Sequence, residues 1–141
     1  GRQEGRSVKA LSIRQPWAWA ILHAGKRIEN RDWRGCYYRG PLLIHAAKGC
    51  GVGEFSDAAE FIYRAGRLTG TDRHMPSLTE VNRGGIVGVC NVVDAVRESK
   101  DPWFCGPLGI VLADVRPLPF MPFKGALGFF DVPDEIVREA L

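Results

Sequence analysis

The sequence has no cysteine pair at C-x-x-C spacing and no His-x3–5-His run to accompany one. Tetrahedral zinc sites use those spacings, so no zinc site and no other metal or cofactor is expected. The four cysteines, Cys36, Cys50, Cys90 and Cys105, are scattered along the chain. At 141 residues the chain is long enough to bury a core without disulfide staples. Free thiols in a reducing compartment are therefore expected, with Cys90, inside an apolar run, as plain core. Long hydrophobic runs are missing as well. Uncharged stretches such as Gly40–Ala47 and Gly84–Val93 fall far short of the ~20 apolar residues of a membrane helix. The opening Gly1–Lys9 lacks the apolar stretch of an export signal. Gly1–Ser7 reads as a trimmed tail, and the expected location is cytoplasmic. Repeats and low-complexity tracts are absent too. Hydrophobic residues make up 45% and charged residues 25%, which excludes a disordered, collagenous or coiled-coil chain. One compact domain over residues 8–141 is expected.

What is present is a lopsided charge distribution. The net charge is +3, yet up to Lys48 there are ten Lys/Arg against three Asp/Glu. From Gly49 onward there are nine against thirteen. A basic half suits an anionic partner such as RNA, DNA or a phosphorylated small molecule. It is equally the signature of a solvated basic face.

Apolar spacing predicts the elements. Val8–Ile13 reads as a strand, with Val8, Ala10 and Ser12 on one side and Lys9, Leu11 and Ile13 on the other. Pro16 opens a helix that Gly25 ends, and the segment between, Trp17–Ala24, is apolar almost all round. Such a short helix must be buried on more than one face. Lys26–Trp33 reads as a charged strand, Pro41–Ala47 as a buried one, and Gly35–Gly40 as a turn between them. Glu54–Leu68 is the clearest helix, with Phe55, Ala59, Ile62 and Gly66 on one face. Thr69–Arg83 is a long polar connection. Gly84–Val96 and Leu108–Val115 are further strands, followed by an extended Pro117–Pro122. Asp134–Leu141 closes as a helix. Five or six strands without β-α-β alternation argue for an α+β fold with a mixed or closed sheet.

Three segments carry a resemblance. Leu11-Ser-Ile-Arg-Gln-Pro-Trp17, Gly25-Lys-Arg-Ile-Glu-Asn-Arg31 and Gly40-Pro-Leu-Leu-Ile-His-Ala-Ala-Lys48 resemble the ASCH domain family of the PUA-like superfold. Lys124 and the following Gly125–Pro133 resemble the closing segment of microbial and phage members. The resemblance implies a small mixed β-barrel flanked by short helices, with a cleft beside Lys26–Arg31. It further implies binding of RNA or DNA, or action on RNA-derived nucleosides. One branch hydrolyses the acyl amide of N4-acetylcytidine with a Lys, a Thr and a Glu; other members are ribonucleases or nucleic-acid-binding modules. Glu29 stands where the amidohydrolase branch has its threonine, and a carboxylate cannot form that hydroxyl's acyl intermediate.

Candidate site residues follow from side-chain chemistry. Arg31 suits a bidentate grip on phosphate, and Lys26 supplies a point charge or proton. Glu29 orients Lys26 or acts as a base; strand alternation pairs Glu29 with Arg31, and Lys26 joins them only at a bulge or strand start. The alternative is an intrastrand charge ladder facing water. His45 is a candidate acid or base for 2′-hydroxyl chemistry, or a hydrogen-bonded structural histidine. Lys48 and Lys124 are candidate phosphate contacts. Trp33 and Tyr38 are candidate stacking platforms for unpaired bases, against core packing. Gln15 either reads a base edge or caps the helix at Pro16. The leading expectation is a binder of single-stranded RNA or another single-stranded nucleic acid in a basic cleft. A metal-independent ribonuclease built on Lys26, Lys48 and His45, and a hydrolase of modified nucleosides or nucleotides using Lys26 and Glu29, are the rivals. No membrane contact is expected.

Overall fold

The computed structural model describes residues 5–71 and 73–141. The first four residues of the expected tail, and position 72 in the polar connection, lie outside the described residues. The chain runs β1 (Ser7–Ile13), α1 (Trp17–His23), β2 (Ile28–Arg31), β3 (Gly40–Ala46), α2 (Val52–Thr69), β4 (Gly85–Val96), β5 (Leu108–Pro122), β6 (Phe129–Pro133) and α3 (Asp134–Val137). The strands form one six-stranded mixed sheet in the order β2-β5-β4-β3-β1-β6. β1 and β3 are parallel, with Ser12 opposite His45; every other pairing is antiparallel. The fold is α+β, as expected.

The hydrogen-bonded sheet is not closed into a barrel. β2 and β6 are the two edges of the hydrogen-bonded order, and no ladder joins them among the described residues. Side chains span the gap instead. Arg31 at the end of β2 donates to the Ser12 carbonyl of β1 at 3.0 Å. Trp33, just beyond β2, packs on Phe129 of β6 with ring centroids 5.4 Å apart. A ladder needs two strands in register; a long Arg and an aromatic pair need only proximity.

Strand alternation sorts the core onto two faces of the sheet. Leu11, Ile13, Leu42 and Ile44 bury one face against Ala18 and Ile21 of α1. Ala10, Leu43, Ile86 and Val132 bury the other with Val137 of α3. A third cluster joins Ala20 and Ala24 to Ile62 and Ala65 of α2 around Trp103. Trp17 touches both the first and third clusters, so α1 is buried on two sides as its composition required. β3, flanked by β1 and β4, is buried on both faces from Leu42 to Ala46, which explains its unbroken apolar run.

Several boundaries move. The charged Lys26–Trp33 strand shrinks to Ile28–Arg31, because Gly25 (φ +75°) turns the chain and only those four residues pair with β5. The Pro117–Pro122 segment is not a separate extension: β5 continues to Pro122, shifting register against β4 as it goes. Such shifts let an edge-prone, proline-bearing segment stay in the sheet. α3 is only four residues long rather than running to Leu141. α2 ends on Gly70 in the left-handed region (φ +72°), and its buried face is Ala58, Ile62, Ala65 and Gly66. Among the described residues, no helix is long and apolar enough to cross a membrane.

Cys36 and Cys90 are buried, Cys50 is half-buried and Cys105 is exposed. Burial pushes the Cys90 thiol up to about 12, so it carries almost no thiolate near neutrality, and the thiolate is the reactive form. With a thiol-specific chromogenic disulfide at pH 8, Cys105 should react at once in the native protein. Cys90 should react only after denaturant is added. Fast native labelling of Cys90, mapped by peptide mass, would contradict the packing described.

Candidate functional site

Two charged constellations meet at Ser12. The first is a buried network at the start of β2. Lys26 is 1% exposed. Its ammonium donates to Glu29 Oε1 at 2.9 Å and to the Ile28 carbonyl, and lies 5.6 Å from the Trp17 ring centroid. Glu29 Oε2 accepts from Arg31 Nε at 3.1 Å and forms an ion pair with its Nη2 at 2.9 Å. Arg31 then reaches the Ser12 carbonyl, with its guanidinium 5.4 Å from the Trp33 ring. Lys26 precedes the strand, so it escapes the alternation that would have placed it opposite Glu29. One carboxylate thus serves two cations, and each cation also donates to one backbone oxygen, Lys26 to Ile28 and Arg31 to Ser12.

The second constellation is an open cleft of about 710 Å³ where β1 and β3 end. Ser12, His45, Lys48, Phe123, Lys124 and Leu127 line it, with Gly84, Gly125 and Ala126. Lys48 and Lys124 are exposed and no carboxylate belongs to the lining. Arg83 donates to the Lys48 carbonyl at 3.1 Å and brings a third cation to the rim. Leu127 is 99% exposed. His45 is held at both nitrogens: Nε2 lies 2.6 Å from the Phe123 carbonyl and Nδ1 lies 3.0 Å from Ser12 Oγ. Its ring meets the edge of Phe130 at 5.6 Å.

The structure therefore gathers His45, Lys48 and Lys124 into one cleft. Lys26, Glu29 and Arg31 form a network connected to it through Ser12, and none of the three lines it. The cleft expected directly beside Lys26–Arg31 is corrected in that respect. Burying those three groups together costs less than exposing one alone to the apolar interior. Gln15 is not available to a base edge: its Oε1 accepts from the Trp19 amide at 2.9 Å and its Nε2 donates to the Asn82 carbonyl at 2.8 Å. It ties α1 to the connection before β4. Trp33 and Tyr38 are half-buried and both pack on Phe129, each at 5.4 Å. Tyr38 also donates its hydroxyl to the Pro41 carbonyl. They are packing residues that hold β6, not platforms in the cleft.

Ser12, Phe123, Arg83 and Leu127 were not singled out from sequence. Ser12 carried one signal, its position opposite the polar end of a buried strand. Phe123, Arg83 and Leu127 come from distant parts of the chain and had none.

Among the described residues, no three His, Cys, Asp or Glu side chains gather where they could hold a metal ion.

Residues 11–104 match the family model of the ASCH domain, two-thirds of the chain. The chain belongs to the ASCH domain family. The match takes in the buried Lys26–Glu29–Arg31 network together with Ser12 and His45. A tyrosine-to-phenylalanine mutant of ZmASCH from Zymomonas mobilis has a similar crystal structure. The TM-score is 0.57 at 11% identity, covering 95% of this chain and 96% of that one. At that identity the likeness speaks to the ASCH fold and not to activity. No curated protein matches this ASCH chain.

Proposed function

We propose that this ASCH protein binds single-stranded RNA in the cleft beside His45. The observation that carries the reading is the lining itself: two exposed lysines, an adjacent arginine and no carboxylate, around about 710 Å³. Lys48 and Lys124 meet phosphates as point charges. Phe123 and the unpacked Leu127 offer an apolar surface on which an unpaired base lies. Membership of a family associated with nucleic acids supports the same reading. The ammonium of Lys26, on which the ribonuclease and nucleoside-hydrolase readings drew, pairs with Glu29 and a backbone carbonyl, which supports the binding reading first.

Fluorescence anisotropy with a labelled uridine oligomer across a salt series tests the proposal. Two phosphate contacts on a single strand give a slope of about −1.4 in log K against log salt. Lys48→Ala and Lys124→Ala should each remove about half of that slope. Binding that ignores salt, or slopes unchanged in both variants, overturns the reading.

A further inference from the structure

Ser12 and His45 are register partners on adjacent parallel strands, so both side chains leave the same face of the sheet side by side. The Phe123 carbonyl, 2.6 Å from His45 Nε2, can only accept a hydrogen bond. Nε2 therefore carries the proton. In the neutral ring Nδ1 then presents its lone pair to Ser12 Oγ at 3.0 Å. The hydroxyl donates to the imidazole, and the imidazole is oriented by a third group. That is the arrangement of an activated hydroxyl: nucleophile, base and the group that fixes the base. The ring is 2% exposed and held against Phe130, so it does not swing away. Ser12, by contrast, is half-buried and lines the cleft. Gly125 adds a second observation. A Cβ there would lie 2.7 Å from His45 Cε1 and 3.1 Å from Ser12 Oγ. Any side chain at that position would press on the pair, and the glycine leaves the hydroxyl open to the cleft.

We propose that Ser12 is a nucleophile and that the cleft hydrolyses a carboxylic ester whose alcohol carries a phosphate. The phosphate lies on Lys48 and Lys124, the two free cations of the lining. Ser12 Oγ forms a bond to the acyl carbon as its proton passes to His45 Nδ1. The tetrahedral species then collapses, the ester C–O bond breaks and the leaving alcohol takes that proton. Water repeats the sequence on the acyl-serine, with His45 again accepting and returning a proton, and releases the carboxylic acid. Both side chains end as they began. The activity uses the cleft assigned to RNA, yet it does not require RNA to bind there.

The test treats the full chain with an uncharged alkyl fluorophosphonate, in which the serine oxygen displaces fluoride from phosphorus, and maps the adduct by peptide mass. A single adduct on Ser12 is expected, with Ser7, Ser56, Ser77 and Ser99 unmodified. Inorganic phosphate should slow labelling by occupying the lysine subsite. Turnover of p-nitrophenyl acetate should fall at least about 100-fold in Ser12→Ala, within the range expected for loss of a nucleophile. No adduct on Ser12 in the folded wild type, or equal labelling of the other serines, overturns the nucleophile. Labelling unaffected by phosphate overturns the substrate class. RNA binding without a Ser12 adduct overturns this proposal alone; an adduct without RNA binding overturns only the RNA reading.

Discussion

Glu29→Ala should lower the unfolding free energy by about 3–5 kcal/mol, the range for breaking a buried ion pair by removing one partner. Lys26 is 1% exposed and, among the described residues, Glu29 is its only charged partner. Without the carboxylate, a buried ammonium is left with one backbone carbonyl. Arg31 loses both contacts to Glu29 at the same time and is free to leave the Ser12 carbonyl. The damage therefore spreads from the start of β2 to the end of β1. The double variant Lys26→Met with Glu29→Gln should recover part of the loss, because it removes the fully buried ammonium with its partner and leaves only Arg31, which is less buried and keeps the Ser12 carbonyl. Urea denaturation of wild type, single and double variants measures this. A Glu29→Ala loss under about 1 kcal/mol, the size of an exposed pair, would mean that the network is solvated.

Gly85→Ala should also destabilise the fold, for a steric reason. A Cβ at Gly85 would lie 2.4 Å from the Met121 carbonyl oxygen and 2.6 Å from the Phe120 ring. The Phe120 ring is 40% exposed and can turn aside, whereas the Met121 carbonyl is backbone inside the β4–β5 pairing and cannot. The strands must part locally, at a cost of about 1–3 kcal/mol or more for an overpacked interior. The disturbance reaches the cleft. The Phe123 amide donates to the Gly84 carbonyl at 3.2 Å, and the Phe123 carbonyl in turn holds His45. Loss of stability should therefore come with weaker RNA binding. Gly53→Ala is the control: it sits in α2, meets nothing within 4 Å and has ordinary helical backbone. Alanine there should be neutral or stabilising by up to about 1 kcal/mol. Equal thermal stability of wild type and Gly85→Ala by differential scanning calorimetry would sink the argument.

The sequence alone determined which segments bury. Alternation in Val8–Ile13, the unbroken apolar run of β3 and the all-round apolar α1 each have one physical solution: a central strand or a doubly buried helix. It also carried the family, through motifs that sit on those elements. His45, Lys48 and Lys124 were individually readable as polar residues beside apolar ones, whereas Ser12 was not singled out. Only the tertiary structure decided which of them share a site. Lys26 and Arg31 look like the ligand-facing cations because they and Glu29 lie within six residues, yet local sequence does not reveal that Glu29 neutralises both from inside. Likewise Phe123 meets His45, and Lys124 joins it in the cleft, only because β5 runs on to Pro122 and returns the chain across the ends of β1 and β3. Those contacts join residues nearly eighty positions apart. Periodicity reports the environment of a residue along its own element; which distant residue completes that environment is set by strand order and register.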